Sequence, residues 1–140
     1  MDYKLEVVTL AVRDVDAALA FYQTLGFDLD VDYHPRDGFR VVQMTPPGSA
    51  CSIQFGEGIT DAAPGSARAN YLVVPDLEAA HRDLVARGIK VGDIRHKDPI
   101  DTWSGDFAPG PDPEHRPYAS LATFADPDGN TWTLQEIRRG

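Results

Sequence analysis

A seven-residue pattern recurs in this chain. Val12-Arg13-Asp14-Val15-Asp16-Ala17-Ala18 lies without a gap over Val74-Pro75-Asp76-Leu77-Glu78-Ala79-Ala80, 62 residues further on, and Gly26 falls on Gly88 at the same spacing. Near the end of each copy, Pro46-Pro47-Gly48-Ser49-Ala50-Cys51-Ser52-Ile53-Gln54 lies over Pro127-Asp128-Gly129-Asn130-Thr131-Trp132-Thr133-Leu134-Gln135, now at a spacing of 81. A chain made of two copies of one supersecondary unit has few folds open to it, because both copies must bury equivalent faces in equivalent ways. The change of spacing places 19 additional residues in the second copy, between Gly88 and the final strands and within about Asp93 to Pro117.

Each copy reads as strand, helix, and three strands. Leu5 to Val12 is an apolar run expected as a buried strand, and Asp14 then caps a helix with the stripe Val15, Ala18, Leu19, Tyr22 and Leu25, ended by Gly26. Phe27 to Tyr33 alternates Asp28, Asp30 and Asp32 with Leu29, Val31 and Tyr33, the pattern of a half-buried strand showing its carboxylates to water. Phe39 to Thr45 and Ala50 to Phe55 follow as strands, and residues 58–67 read as a linker. The second helix carries Leu77, Ala80, His81, Leu84 and Val85. The copy closes with a hairpin in which Ala119 to Ala125 folds back on Thr131 to Ile137 through the turn Asp126-Pro-Asp-Gly-Asn. In its last strand Thr131, Thr133 and Gln135 share one face, while Trp132, Leu134 and Glu136 share the other.

A formal charge of −9 and a pI near 4.7, with no basic block, exclude phosphate-backbone and anionic-membrane binding as expected functions. No apolar run approaches a membrane span. The single cysteine, Cys51, and a start lacking the cationic and apolar runs of a secretory leader point to a cytoplasmic protein.

Two βαβββ copies, the helix string Ala20-Phe-Tyr-x-x-Leu-Gly-Phe27 and the closing Phe124-Ala-Asp-Pro-Asp-Gly-Asn-Thr-Trp132 resemble the vicinal oxygen chelate superfamily. That group includes glyoxalase I, extradiol dioxygenases, fosfomycin-resistance enzymes and bleomycin-resistance proteins. The resemblance implies an α+β fold, with the two copies forming a cupped half-barrel of mixed sheet and the helices on its convex side. One domain would hold a first copy at about 5–57 and a second at about 68–137, with the inserted loop 93–117. It also implies a homodimer. In the metal enzymes of this group, ligands come from the first and last strands of each copy. Those positions are Val7, Ser52, Ala69 and Thr133 here. Two aliphatic groups and two neutral hydroxyls offer none of the imidazole, thiolate or carboxylate donors that a divalent first-row metal needs, so no metal and no cofactor is expected.

With the metal positions empty of donors, strand alternation gives the concave face Val7, Thr9, Ser52, Gln54, Ala69, Tyr71, Thr133 and Gln135. Such a wall, short apolar groups with a few hydroxyls and amides, suits an uncharged or aromatic small molecule. The insertion adds His96, Trp103, His115 and Tyr118, in a stretch with five prolines. A structureless segment of that length in a compact domain is typically a lid or a partner loop. Two functions follow. The first is a metal-free binding protein of the bleomycin-resistance kind, sequestering a drug or metabolite, for which the negative charge favours a cationic ligand. The second is an enzyme, a lyase, isomerase or dioxygenase by resemblance, either metal-free with His96, His115 or Tyr71 as acid or base, or metal-dependent through unorthodox donors such as Gln54, His96 and His115. His81 is expected to pack against the sheet.

Overall fold

The computed structural model describes residues 1–138. Its elements fall into two compact units, one holding residues 1–68 with the turn 126–130, the other 69–125 with the chain from 131 on. Each unit is one βαβββ copy, and the class is α+β, with one mixed sheet per copy and one helix packed on it.

In the first unit the strands β1 (Val7–Thr9), β2 (Asp28–Arg36), β3 (Phe39–Thr45) and β4 (Ser52–Glu57) form a sheet in the order β1-β4-β3-β2. β1 and β4 are parallel, and the remaining neighbours are antiparallel. β1 is shorter than the apolar run suggested, and Leu5 is 70% exposed. The second unit repeats this with β5 (Asn70–Val74), β6 (Arg95–His96), β7 (Ala108–Pro109), β8 (Ser120–Ala125) and β9 (Thr131–Glu136), in the order β5-β9-β8-β6-β7. The insertion is therefore not wholly without structure. It contributes β7, an extra edge strand for which the first copy has no counterpart.

The helices α1 (Val15–Thr24) and α2 (Leu77–Ala86) are copies down to their caps. Asp14 and Asp76 each accept the backbone N–H three residues on, from Ala17 and Ala79, both at 3.0 Å. Each helix ends in the same pair of bonds. Gly26 donates to Gln23 and Phe27 to Tyr22 in α1, and Gly88 donates to Val85 and Ile89 to Leu84 in α2. Gly26 and Gly88 have φ of 92° and 83°, the left-handed conformation that this ending requires and that a Cβ disfavours. The apolar contact belonging to it is present as well: Tyr22 stacks on Phe27 at 5.5 Å, and Leu84 and Ile89 are both buried.

The helix-side face of each sheet is the core face. Val42, Met44, Ile53 and Phe55 meet Val15, Ala18 and Tyr22 in the first unit, and Ala122, Phe124, Trp132 and Leu134 lie under Leu77 and Leu84 in the second. Truncating Phe55 or Trp132 to alanine would cost about 3–5 kcal/mol. The turn Asp126–Asn130, although it joins β8 to β9, belongs to the first unit, because Tyr22 Oη donates to Asp126 (2.8 Å), Asn130 Nδ2 to the Ala11 carbonyl (3.0 Å) and the Arg13 amide to Asp128 (3.1 Å).

Candidate ligand-binding faces

The face of each sheet away from its helix carries the polar side chains, and in the first unit they form two hydrogen-bonded rows. Gln54, on β4, donates to Thr9 Oγ1 of β1 at 2.9 Å and accepts from Gln43 Nε2 of β3 at 3.0 Å. Ser52, on the same face of β4, shares a hydroxyl bond of 2.7 Å with Thr45, whose hydroxyl also donates to the Asp30 carboxylate. Register explains the pairing, since Gln43 stands opposite Gln54, Thr9 opposite Gln54, and Val7 opposite Ser52.

β2 departs from the sequence reading. Its pairing slips between Leu29 and Val31, leaving Asp30 as a bulge, so the alternation of carboxylates and apolar groups changes face halfway along the strand. Beyond the bulge Val31 pairs with Gln43 and Tyr33 with Val41 on the polar face, while Asp32 pairs with Val42 and turns to the helix side. There Arg40 bridges Asp32 (2.9 Å) to Asp16 of α1 (2.8 Å), and its hydrogen bonds hold the Asp32 carboxyl below its ordinary range. The strand is not half-buried as its pattern implied. All nine of its residues are exposed, because it is the sheet edge. Tyr33, 56% exposed, stands edge-on to Phe39 at 6.4 Å, and Arg36 covers that ring at 4.8 Å.

In the second unit the polar face reads Tyr71, Thr133, Thr123 across one row and Val73, Gln135, Leu121 across the next. Thr133 and Gln135 are buried, whereas Tyr71 and Val73 on the edge strand are half exposed. Gln135 Nε2 donates to the Tyr118 carbonyl (2.9 Å), and the Tyr118 amide donates to the Glu136 carbonyl (2.9 Å). The end of the insertion is thereby pinned to β9, with Tyr118 at φ 64°, a strained value for an aromatic residue.

The histidines of the insertion lie elsewhere. His96 stands opposite Ser120, on the helix-side face, and its Nδ1–H donates to the Gly110 carbonyl at 2.8 Å. His115, at φ 49°, meets the buried carboxylate of Glu136 through Nδ1 at 2.8 Å. Glu136 also accepts from the Leu77 amide at the start of α2 (2.9 Å) and from Arg138 (3.3 Å). Burial pushes the Glu136 carboxyl up, but the Leu77 N–H, His115 and Arg138 outweigh it, and the net shift is downward. Nearby, Asp112 takes a fork of bonds from Arg116 and is held at about 2 by that guanidinium against the opposing effect of burial. Trp103 is 75% exposed and lies under the Lys97 ammonium, 4.0 Å from its ring centre. His81 reaches the Gly92 carbonyl through Nε2 at 3.0 Å.

The donor set for the family metal does not fit one. Val7 and Thr133 offer an alkyl group and a hydroxyl, and the Ser52 hydroxyl is already shared with Thr45. Ala69 is not a strand residue at all. It sits before β5 at φ 55°, its amide bonded to Thr131, and Tyr71 takes the place opposite Thr133. Among the described residues no group of three or more His, Cys, Asp or Glu side chains is placed to hold a metal ion.

Sequence reasoning did not name Gln43, Thr45, Asp30, Val31 or Tyr33 as part of the polar face. Gln43 and Thr45 were legible, since they alternate with the core residues Val42 and Met44. The remaining three depend on the bulge, which no local signal announces.

The matched repeats have counterparts among known proteins. The family model for the Glyoxalase/Bleomycin resistance protein/Dioxygenase superfamily matches residues 4–134, and the chain belongs to that superfamily. Among solved structures, TnmS3, an antibiotic binding protein from Streptomyces sp. CB03234, is 29% identical over 96% of each chain with a TM-score of 0.71. A glyoxalase/bleomycin resistance protein from the same organism is also 29% identical, over 94% of this chain and 99% of that one, at a TM-score of 0.68. A superfamily member from Sphaerobacter thermophilus DSM 20745 is 26% identical over 97% and 98%, at 0.70. No curated protein sequence matches the chain. No helix among the described residues is long and apolar enough to cross a membrane.

Proposed function

We propose that this chain is a small-molecule-binding protein of the glyoxalase/bleomycin-resistance type, without the family metal, that sequesters a drug or metabolite against its polar sheet faces. The observation that carries the reading is the row Thr9, Gln54, Gln43 beside Val31 and Tyr33: neutral hydrogen-bonding groups held in fixed orientation next to exposed hydrocarbon and an aromatic ring. Such a surface selects a flat, largely uncharged body by shape and a few hydrogen bonds. The similarity to an antibiotic binding protein supports it. Thr9, Ser52, Gln54, Tyr71, Thr133 and Gln135 are the contact residues in this reading, with Trp103 and Tyr118 from the insertion. The protein works in the cytoplasm as a homodimer. The exposed edge strand β2, with Leu29, Val31 and Tyr33 open to solvent, favours assembly because unprotected edges invite pairing.

A thermal-shift panel of aromatic antibiotics tests the proposal. At least one compound raises the midpoint of the native chain, and Gln54→Leu abolishes the shift while leaving the unliganded midpoint within about 1 kcal/mol of stability. Metal analysis of protein purified without chelator accompanies it, and stoichiometric iron, nickel, zinc or manganese would overturn the metal-free reading. One observation favours the enzyme alternative: the His115 imidazole is oriented by buried Glu136 in the manner of a general base. Conversion of a bound compound that stops in His115→Gln would move the reading to that alternative.

A further inference from the structure

Hydrogen bonds have direction, and the two rows on the polar face of the first unit differ in what fixes theirs. In one row Gln43 Nε2 donates to Gln54 Oε1 (3.0 Å), and Gln54 Nε2 donates to Thr9 Oγ1 (2.9 Å). The Thr9 hydroxyl keeps its own proton and Gln43 keeps its carbonyl, and neither has a further partner among the described residues. This row is open at both ends. Turning both amides over and rotating the hydroxyl remakes each bond in reverse: Thr9 donates to Gln54 Oε1, and Gln54 Nε2 donates to Gln43 Oε1. Thr9 and Gln43 both stand opposite Gln54 in the strand register, so the inversion needs no movement of the backbone.

The other row cannot invert. Thr45 donates to the Asp30 carboxylate, which only accepts, and a hydroxyl has one proton to give. The 2.7 Å bond between Thr45 and Ser52 is therefore donated by Ser52, whose oxygen is left with a lone pair and no proton for a ligand. Ser52 and Gln54 are two residues apart on β4, which sets the rows about 7 Å from each other.

We propose that this face reads its ligand through one fixed and one reversible position. Ser52 requires a donor, an N–H or O–H on the ligand. Thr9 takes either kind of group, because it donates with its row in one direction and accepts with the row inverted. The ligand class is a flat aromatic body with an N–H or O–H at one edge and a second polar group, donor or acceptor, about one row away. The inference rests on the function proposed above, since it concerns the same face.

The test measures binding of three flat probes to the full chain labelled with 15N: indole-5-carbonitrile, 5-aminoindole and benzofuran-5-carbonitrile. The two indoles share a ring N–H and differ in whether the 5-substituent accepts or donates. The benzofuran has an oxygen in place of the N–H and cannot donate there. The native chain is expected to bind the two indoles within about threefold of each other and the benzofuran about five- to tenfold more weakly, with shifts at the amides of Thr9, Ser52 and Gln54. Asp30→Asn supplies an amide that can donate to Thr45, which frees that row to invert and should narrow the gap between benzofuran and indole nitriles to about twofold. Gln43→Glu ends the other row on a carboxylate that only accepts, which pins Thr9 as an acceptor and should weaken the indole nitrile about fivefold against the amine. The proposal is overturned if the native chain binds the benzofuran as well as its indole partner, if it favours one indole over the other by about tenfold, or if neither substitution moves these ratios. In each of those cases the face still binds flat compounds and the function proposed above stands. Absence of any shift at these three amides with every probe at millimolar concentration would overturn both.

Discussion

In each unit a buried carboxylate joins separate stretches of chain, Asp126 in the first and Glu136 in the second, and the two ties are built from different chemistry. Asp126 in the first unit accepts from neutral donors only: the Tyr22 hydroxyl, the Asn130 side-chain amide, and the backbone amides of Asp128 and Asn130. Glu136 in the second unit takes one backbone amide, that of Leu77, and two basic side chains, His115 and Arg138. Both carboxylates are nearly inaccessible, at 5% and 1% exposure, and a buried carboxylate is tolerated only with its acceptor sites filled. The first tie closes a tight turn onto a helix with groups already nearby. The second must gather three separate stretches, the start of α2, the end of the insertion and the chain after β9, and for that it uses long basic side chains. The longer copy holds its additional segment by charge, and its stability should depend on charge accordingly.

The largest effect expected is from Glu136→Ala, at about 3–5 kcal/mol, because it strands a helix-start amide and two basic groups at once. Asp126→Ala should cost less, about 2–3 kcal/mol, since each of its donors is neutral. Denaturant unfolding of both variants measures the difference, and equal losses would mean that the basic partners of Glu136 add nothing.

Acid gives the next largest effect. Asp112 and Glu136 are both stronger acids in the folded chain than in the unfolded one, where carboxyls titrate near 4. Their stabilisation is therefore complete above about pH 5 and is lost as pH falls from about 4 toward 2, the folded value of Asp112. Unfolding midpoints measured from pH 6 to 2 should fall over that window, and Asp112→Asn should flatten the profile there. A profile unchanged by Asp112→Asn would remove this carboxyl from the account.

A smaller effect checks the equality of the copies where they are identical. Asp14→Ala and Asp76→Ala each delete a single cap bond of the same length, and should lower the thermal midpoint by similar amounts of a few degrees. If one loses far more than the other, the helices do not contribute alike despite matching geometry.

What could be read from the sequence divides along the same line. The caps, the glycine helix endings, the closing hairpin and the helix stripes, apart from Val85 at 54% exposure, are local, written within a few residues of one another, and the repeat doubled every such signal. The bulge at Asp30 was not legible, because nothing in Asp-Leu-Asp-Val-Asp-Tyr indicates which residue the partner strand will skip. Its consequence was large, moving Val31 and Tyr33 onto the polar face and Asp32 off it. Alternation alone puts Glu136 on the face of Trp132 and Leu134 and assigns it no partner. Its partners lie 21 residues away at His115 and 59 away at Leu77, and no local pattern reaches that far. The change of repeat spacing is itself a comparison of short local strings, yet β7, only Ala108 and Pro109, carries no strand signal.

The insertion also supplies the variant with the least effect on stability and the most to say about its purpose. Trp103 is three-quarters exposed, so its indole contributes little to the fold beyond the contact with Lys97, and Trp103→Ala should change stability by no more than about 1 kcal/mol. An indole left this open gives up apolar burial unless something covers it in the working state. If the insertion covers ligand, Trp103→Ala weakens binding of an aromatic compound identified in the thermal-shift panel while sedimentation of the protein is unchanged. If it instead seats a second copy, the same variant retains affinity and the sedimenting mass falls. Measuring both quantities on one preparation separates the two uses, and a variant that changed neither would show that the longer copy gains nothing from its most exposed aromatic ring.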